Sequence, residues 1–308
     1  MTHRYRICGL TVASDLALPG ARPADFDGAP EVTIRRAPVP QSLEAATIVR
    51  SNWEAADGRY LFRAARAGRF LLLNGREISY EPSGAPADCA VYLLGSVFGM
   101  LLHQRGHVVL HASAVEVAGK VALFCGRSGA GKSTLAAALG RAGHAVLNDD
   151  VSAIAFSETG KATVLSDSRY LKLSEAAVAA LDLQDRRGGQ VAAHVPKFFV
   201  DPAVIARSGA AEIGAIYILS EGGEASAISR LNAGESLVAL QRNVYRPGVV
   251  KQTGQRPHYF ERLTALLRDV PVYQLSRPLG LALLGETVAL LEAHWRALAP
   301  AVADAPMG

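Results

Sequence analysis

The run Gly126-Arg127-Ser128-Gly129-Ala130-Gly131-Lys132-Ser133 fits the pattern G-x-x-x-x-G-K-[ST], whose chemistry is phosphate binding. Glycines at 126, 129 and 131 allow positive φ, so successive backbone N–H groups can turn toward an anion. A helix starting at Lys132 adds the positive end of its dipole. Lys132 is then placed for the β- and γ-phosphates of a nucleoside triphosphate, and Ser133 for Mg²⁺, with Thr134 next to them. A chance glycine turn before a helix is the bland alternative. Eight fitting positions between an apolar strand and a helix count against it.

Asp149 and Asp150 end the next apolar run, with Asp150 eighteen positions beyond Lys132. Carboxylates at the carboxyl edge of an α/β sheet lie where such sheets bind ligands. Neighbouring strand residues point to opposite sides, so one acid is expected to face a metal and the other an incoming nucleophile. A polar strand exit is the competing reading, since Asp is common in turns. His111, in the apolar run 108–115, is either a core residue or a partner of the acid pair or the γ-phosphate. His103, His107, His144, His194 and His258 lack such a context and are read as structural.

Positioning these groups takes a strand, a loop, a helix and a second strand. Segments 120–125, 126–131, 132–142 and 144–147 supply them as a βαβ unit whose strands should run parallel. An apolar helix over 87–104 and a strand over 108–117 lead into it. Upstream, alternating runs at 5–12, 31–36, 59–66, 69–74 and 77–80 predict an antiparallel meander. The Pro/Gly/Ala-rich stretch 81–86 separates a β-rich domain, 1–86, from a larger domain, 87–308. Downstream, the pattern predicts a hairpin over 152–165, strands at 215–219 and 272–275, and helices over 174–181, 231–242, 259–268 and 281–298. Segment 185–189 is expected to be an exposed loop.

Composition narrows the class. The chain has 308 residues, 50% hydrophobic and 19% charged, which excludes long disorder. Three widely spaced cysteines exclude a disulfide scaffold and a four-thiolate zinc site. The longest apolar stretch, near 90–102, is too short to span a bilayer, and no apolar signal core follows the first residues. A cytoplasmic protein with no membrane role is expected. The net charge of +4, spread along the chain, suits an anionic ligand and not nucleic acid. The short loop-to-acid spacing departs from ABC-type ATPases and helicases, and no Asn-Lys-x-Asp guanine-reading motif occurs. Residues 231–235 resemble an ABC signature loop only faintly, lacking its second glycine.

The order His111, short strand, Gly126-x-Ser128-Gly129-x-Gly131-Lys132-Ser133, helix, Gly143-His144, apolar strand, Asp149-Asp150 resembles the catalytic domain of HPr serine kinase/phosphorylase and its relatives. The clear resemblance covers 110–151, with a weaker one over 169–298. The opening residues are similar to the start of HPr-kinase-like proteins, some of them encoded with ribosomally made peptides such as lasso peptides. The resemblance implies an α/β P-loop kinase domain of HPr kinase and phosphoenolpyruvate-carboxykinase type, carried with a smaller β-rich N-terminal domain. It implies ATP and Mg²⁺ as cofactors. It makes Asp150 the base on a serine hydroxyl, supported by Asp149, with His111 near the phosphates. Lys132 would hold the nucleotide, and Ser133 and Asp149 the metal. The acceptor implied is a serine in a peptide or small protein, including a ribosomal precursor peptide.

One departure follows the acid pair. The family's Glu-Ile-Arg-Gly-type stretch, with its metal-binding glutamate, is absent here. Asp167 and Glu175 are the candidates left for that place. Three other readings stay open: an authentic HPr kinase/phosphorylase, a kinase of a small-molecule hydroxyl, and a module that binds ATP or recruits a peptide without transfer. The segments 5–12 and 31–36 would offer the last of these their strand edges. A basic late group, Arg242, Arg246, Lys251 and Arg256, is a candidate phosphate or acceptor contact, or a solvated loop.

Overall fold

Alternating apolar residues build residues 3–82 into one sheet. The computed structural model describes residues 2–167, 169–206 and 209–298. Strands β1 (His3–Ile7), β2 (Leu10–Ser14), β3 (Val32–Arg36), β4 (Ile48–Val49), β5 (Trp53–Ala56), β6 (Arg59–Ala64), β7 (Gly68–Leu73) and β8 (Glu77–Pro82) join in the order β1-β2-β3-β8-β7-β6-β5-β4. The antiparallel meander predicted over 5–80 holds for β6, β7 and β8, whereas β3 pairs parallel with β2 and β8 because the chain crosses over before and after it. Segment 5–12 is two strands, not one. Cys8 and Gly9, with φ of 47° and 77°, make a two-residue hairpin turn. β3 lies inside the sheet, parallel to both neighbours, so it offers no free edge. The edge of β1 is partly covered by a bridge from Tyr5 to Pro23.

A helical rod covers this sheet: α1 (Pro86–Tyr92), a π turn (Leu93–Val97) and α2 (Phe98–Gln104). By length and composition it could cross a membrane, and it is longer than the apolar stretch 90–102 indicated. Its apolar window is 67% buried in the protein, which is how a core helix behaves. Phe62, Phe70 and Ile78 of the sheet meet Leu93, Phe98 and Leu101 of the rod. The same core takes in Val109, Val151 and Val249, so it runs on past residue 86.

The larger part that follows, from Val108 on, is mixed α/β. Strands β9 (Val108–Leu110) and β10 (Ala112–Val117) break at His111. β11 (Lys120–Cys125), α3 (Lys132–Arg141) and β12 (Ala145–Asn148) follow, then the hairpin β13 (Ser152–Phe156) and β14 (Ala162–Leu165). β11 and β12 both pair antiparallel with β10, which lies between them. They run in the same direction, as a βαβ unit requires, but are not neighbours. A small sheet holds β15 (Leu171–Leu173), β16 (Arg187–Ala192) and β17 (Val195–Val200), with α4 (Glu175–Ala180) beside it. The expected loop at 185–189 is therefore partly β16, with Arg187–Gln190 exposed along it. The long strand β18 (Ala210–Glu221) pairs with β14 at its start and with β11 further on. β19 (Ala227–Arg230), α5 (Ala233–Arg242), α6 (Pro247–Gln252), α7 (Arg256–Asp269), β20 (Val272–Arg277) and α8 (Leu284–Leu298) follow among the described residues, and β20 runs parallel to β18.

The rod and the larger part share a buried polar knot. His103 contacts the Tyr245 carbonyl through Nε2 at 2.9 Å and the Tyr259 hydroxyl through Nδ1 at 2.8 Å. Tyr259 also accepts the Val109 N–H. Burial pushes the His103 imidazole down to about 4, against about 6.5 when unfolded. Between those values the unfolded chain binds the extra proton. Stability from this group is thus complete above about pH 6.5 and is lost as pH falls toward 4, by on the order of 3 kcal/mol. Denaturant unfolding across that range should show the slope, and His103→Gln should flatten it.

Candidate active site

Cys125 ends β11, and the chain turns through 126–131 into α3. Gly129 and Gly131 have φ of 86° and 81°, which residues bearing a Cβ rarely adopt. Lys132 is buried, and its ammonium donates to the carbonyls of Gly126 and Arg127 at 2.8 and 3.1 Å. That folds the side chain back over the loop it follows. Burial lowers its pKa.

Beyond β12 the chain leaves the strand at once. Asp150 has a φ of 73°, so the pleat rule does not apply to the acid pair. Asp149 and Asp150 line the same cleft instead of facing opposite sides. Asp149 is buried and accepts the Ser113 hydroxyl at 2.7 Å and the Lys172 amide at 3.4 Å. Asp150 accepts the Lys172 ammonium at 3.0 Å, and its other oxygen lies 3.3 Å from Nδ1 of His111. Burial raises the Asp150 pKa, but the charges of Lys172 and Arg169, joined by His111 when its ring is protonated, outweigh it and hold the carboxyl well below its usual range. His111 stacks on Tyr245 with ring centroids 5.8 Å apart. Burial lowers its pKa against the opposing pull of Asp150, which favours a neutral ring at pH 7.

The cleft has a volume of about 400 Å³. Ser128, Gly129, Gly131, Lys132, Ser133 and Thr134 form its floor, with His111, Asp149 and Asp150 on one wall. Lys172, Ser174 and Lys197 join the lining from the β15-β17-β16 sheet and its exit. Gly126 and Arg127 open instead on a second hollow of about 550 Å³, with Arg242, Tyr245 and Arg246. His111 and Ser128 line both. Ala130 lines neither and packs against the core beneath α3.

Other sequence candidates lie elsewhere. Asp167 forms a buried ion pair with Arg169, and Glu175 pairs with Arg187 at the surface, so neither reaches the cleft. Among the described residues no three His, Cys, Asp or Glu side chains gather to hold a metal. The basic late group divides: Arg242 and Arg246 line the second hollow beside Arg127, Arg246 also turning inward to Ser96 and the Phe62 ring, while Lys251 is exposed on α6 and Arg256 begins α7. Residues 232–235 are a capping box at the start of α5, which accounts for their faint motif likeness. His144 pairs with Glu292, His194 with Asp88, and His258 meets the Gly106 carbonyl.

Two residues that hold the acid pair escaped the sequence reading. Ser113 is a hydroxyl inside a fully buried run, a polar atom that needed a partner. Lys172 sits between two leucines, a pattern shared with any half-exposed strand, and carried no signal.

No protein-family model matches this chain, and no curated protein matches it. Among solved structures it is similar to the Hpr(Ser) kinase/phosphatase from Coxiella burnetii, at 13% sequence identity and a TM-score of 0.33. The likeness covers 62% of this chain and 92% of that one.

Proposed function

We propose that this protein is an ATP- and Mg²⁺-dependent phosphotransferase acting on a hydroxyl, that of a serine in a peptide or small protein. The observation that carries the reading is an ionised Asp150 in the same cleft as the Lys132 loop. Loop N–H groups and Lys132 bind and orient the triphosphate. Ser133 and Asp149 would hold Mg²⁺, since one hydroxyl and one carboxylate facing a shared cleft, completed by phosphate oxygens, match the donors that ion takes. Bound there, the ion neutralises charge on the phosphates. The acceptor oxygen bonds to the γ-phosphorus as the bond to the bridging β–γ oxygen breaks. The hydroxyl proton passes to the Asp150 carboxylate. As a weak base Asp150 takes it late, which suits a loose transition state in which the hydroxyl acidifies only as the new bond forms. Neutral His111 keeps a ring nitrogen 3.3 Å from Asp150 and orients it.

A second reading is a nucleotide-binding module without transfer. It is favoured by the engagement of Asp150 with two partners, Lys172 and His111. Labelled ATP, Mg²⁺ and a panel of serine peptides and small hydroxyl compounds separate the two. Transfer is expected from wild type, and Lys132→Ala should weaken ATP binding at least about tenfold by fluorescence titration. Undiminished binding by Lys132→Ala removes the loop from the phosphate site. Tight ATP binding with no labelled product across the panel leaves the module reading in place.

A further inference from the structure

Arg277 ends β20 beneath the phosphate loop and is only 4% exposed. Its guanidinium donates to the Ala130 carbonyl at 2.8 Å, and its Nε has no hydrogen-bond partner. Among the described residues no carboxylate pairs with it. Glu221, its register partner on β18, is exposed. Burial alone lowers its pKa, with no acid opposing the shift. A guanidinium does not give up its proton in a protein, so the charge stays. A buried charge without a counter-ion is expensive, and buried arginines ordinarily have one. Arg169, equally buried in this same chain, has Asp167.

The loop is built around this side chain. A Cβ at Gly131 would lie 2.2 Å from a terminal nitrogen of Arg277. Gly131 is therefore the seat of the guanidinium as well as a left-handed turn. In a planar trans peptide the C=O and the next N–H point opposite ways. With the Ala130 carbonyl held by Arg277, the Gly131 N–H faces away from the guanidinium, and Gly131 itself lines the cleft.

We propose that Arg277 is a positioning residue for nucleotide binding, whose counter-ion is the phosphate chain of the nucleotide. It acts through the loop: it fixes the Ala130–Gly131 peptide and adds a permanent positive charge behind it. This rests on the loop binding a nucleotide, and not on phosphate being transferred.

The test measures direct binding of ATP, ADP and AMP with Mg²⁺ by competition against a fluorescent ATP analogue, and thermal unfolding without nucleotide. Arg277→Met should weaken ATP about tenfold or more, and AMP by less, because the lost attraction scales with phosphate charge. Without nucleotide the same variant should unfold no lower than wild type, since an uncompensated buried charge has been removed. Arg277→Lys should recover most of the ATP affinity. Should the methionine variant not fold, Arg277→Gln, which can still donate to Ala130, serves the same comparison. Unchanged ATP affinity in the neutral variant overturns the proposal. So does an equal loss for ATP and AMP, with a lower Tm and no recovery by lysine. Nucleotide binding without transfer would sink the kinase reading and leave this one standing. Transfer by wild type together with undiminished binding by Arg277→Met would do the reverse.

Discussion

Replacing Asp150 by asparagine should slow phosphoryl transfer by about 10²–10⁴ while leaving ATP bound as tightly as before, or tighter. The range is that of removing a positioned proton acceptor. Asparagine keeps the shape, and its oxygen can still accept from Lys172, so the cleft should persist. Taking a negative charge from a site meant for phosphates favours the nucleotide, which is why affinity should not fall. Single-turnover rates with saturating ATP, beside equilibrium titration, separate the two effects. A variant that transfers at the wild-type rate would remove Asp150 from the chemistry and shift attention to its ordering by Lys172 and His111.

The second large effect concerns stability. Arg169 and Asp167 are 2% and 1% exposed at their side chains and bonded to each other. Arg169 also donates to the carbonyls of Leu94 in the rod and Val151 after the acid pair, and touches Cys8 in the first hairpin turn. Arg169→Met leaves a buried carboxylate without its counter-ion and two carbonyls unserved, a loss of about 3–5 kcal/mol of folding stability. Asp167→Asn in addition should recover part of that loss, because the stranded charge is gone. Urea unfolding of the single and double variants measures both. A single variant within about 0.5 kcal/mol of wild type, the scale of an ordinary surface change, would mean that the pair is replaceable by packing alone.

What the sequence revealed and concealed follows from the range of the interactions. The loop at 126–133 was legible because glycine and lysine at fixed offsets act within eight residues. Strands β6, β7 and β8 were legible because alternation is local. The insertion of β10 between β11 and β12 was not, since pairing across tens of residues leaves no mark on either partner. The acid pair was found, but its geometry was misjudged: a positive φ at a non-glycine residue cannot be read from the letter Asp. Lys172, Arg277 and Ser113 reach the site from separate strands, and only the folded chain brings them there. Asp167 and Glu175 looked like metal ligands by position and are occupied by arginines instead.

The π turn in the core rod is one residue too wide for an α-helix. Such turns are locally unfavourable and concentrate where a protein needs them. Within it, Leu94 lends its carbonyl to Arg169 and Ser96 its hydroxyl to Arg246. The irregularity thus turns a greasy rod into a socket for two arginines, Arg169 after the acid pair and Arg246 on the second hollow. In evolutionary terms a helix like this tolerates swaps of one apolar residue for another far better than a change of length. Deleting a single residue from this turn would restore the α-helical repeat and rotate both sockets away, so the surplus residue is what couples the rod to the rest of the chain.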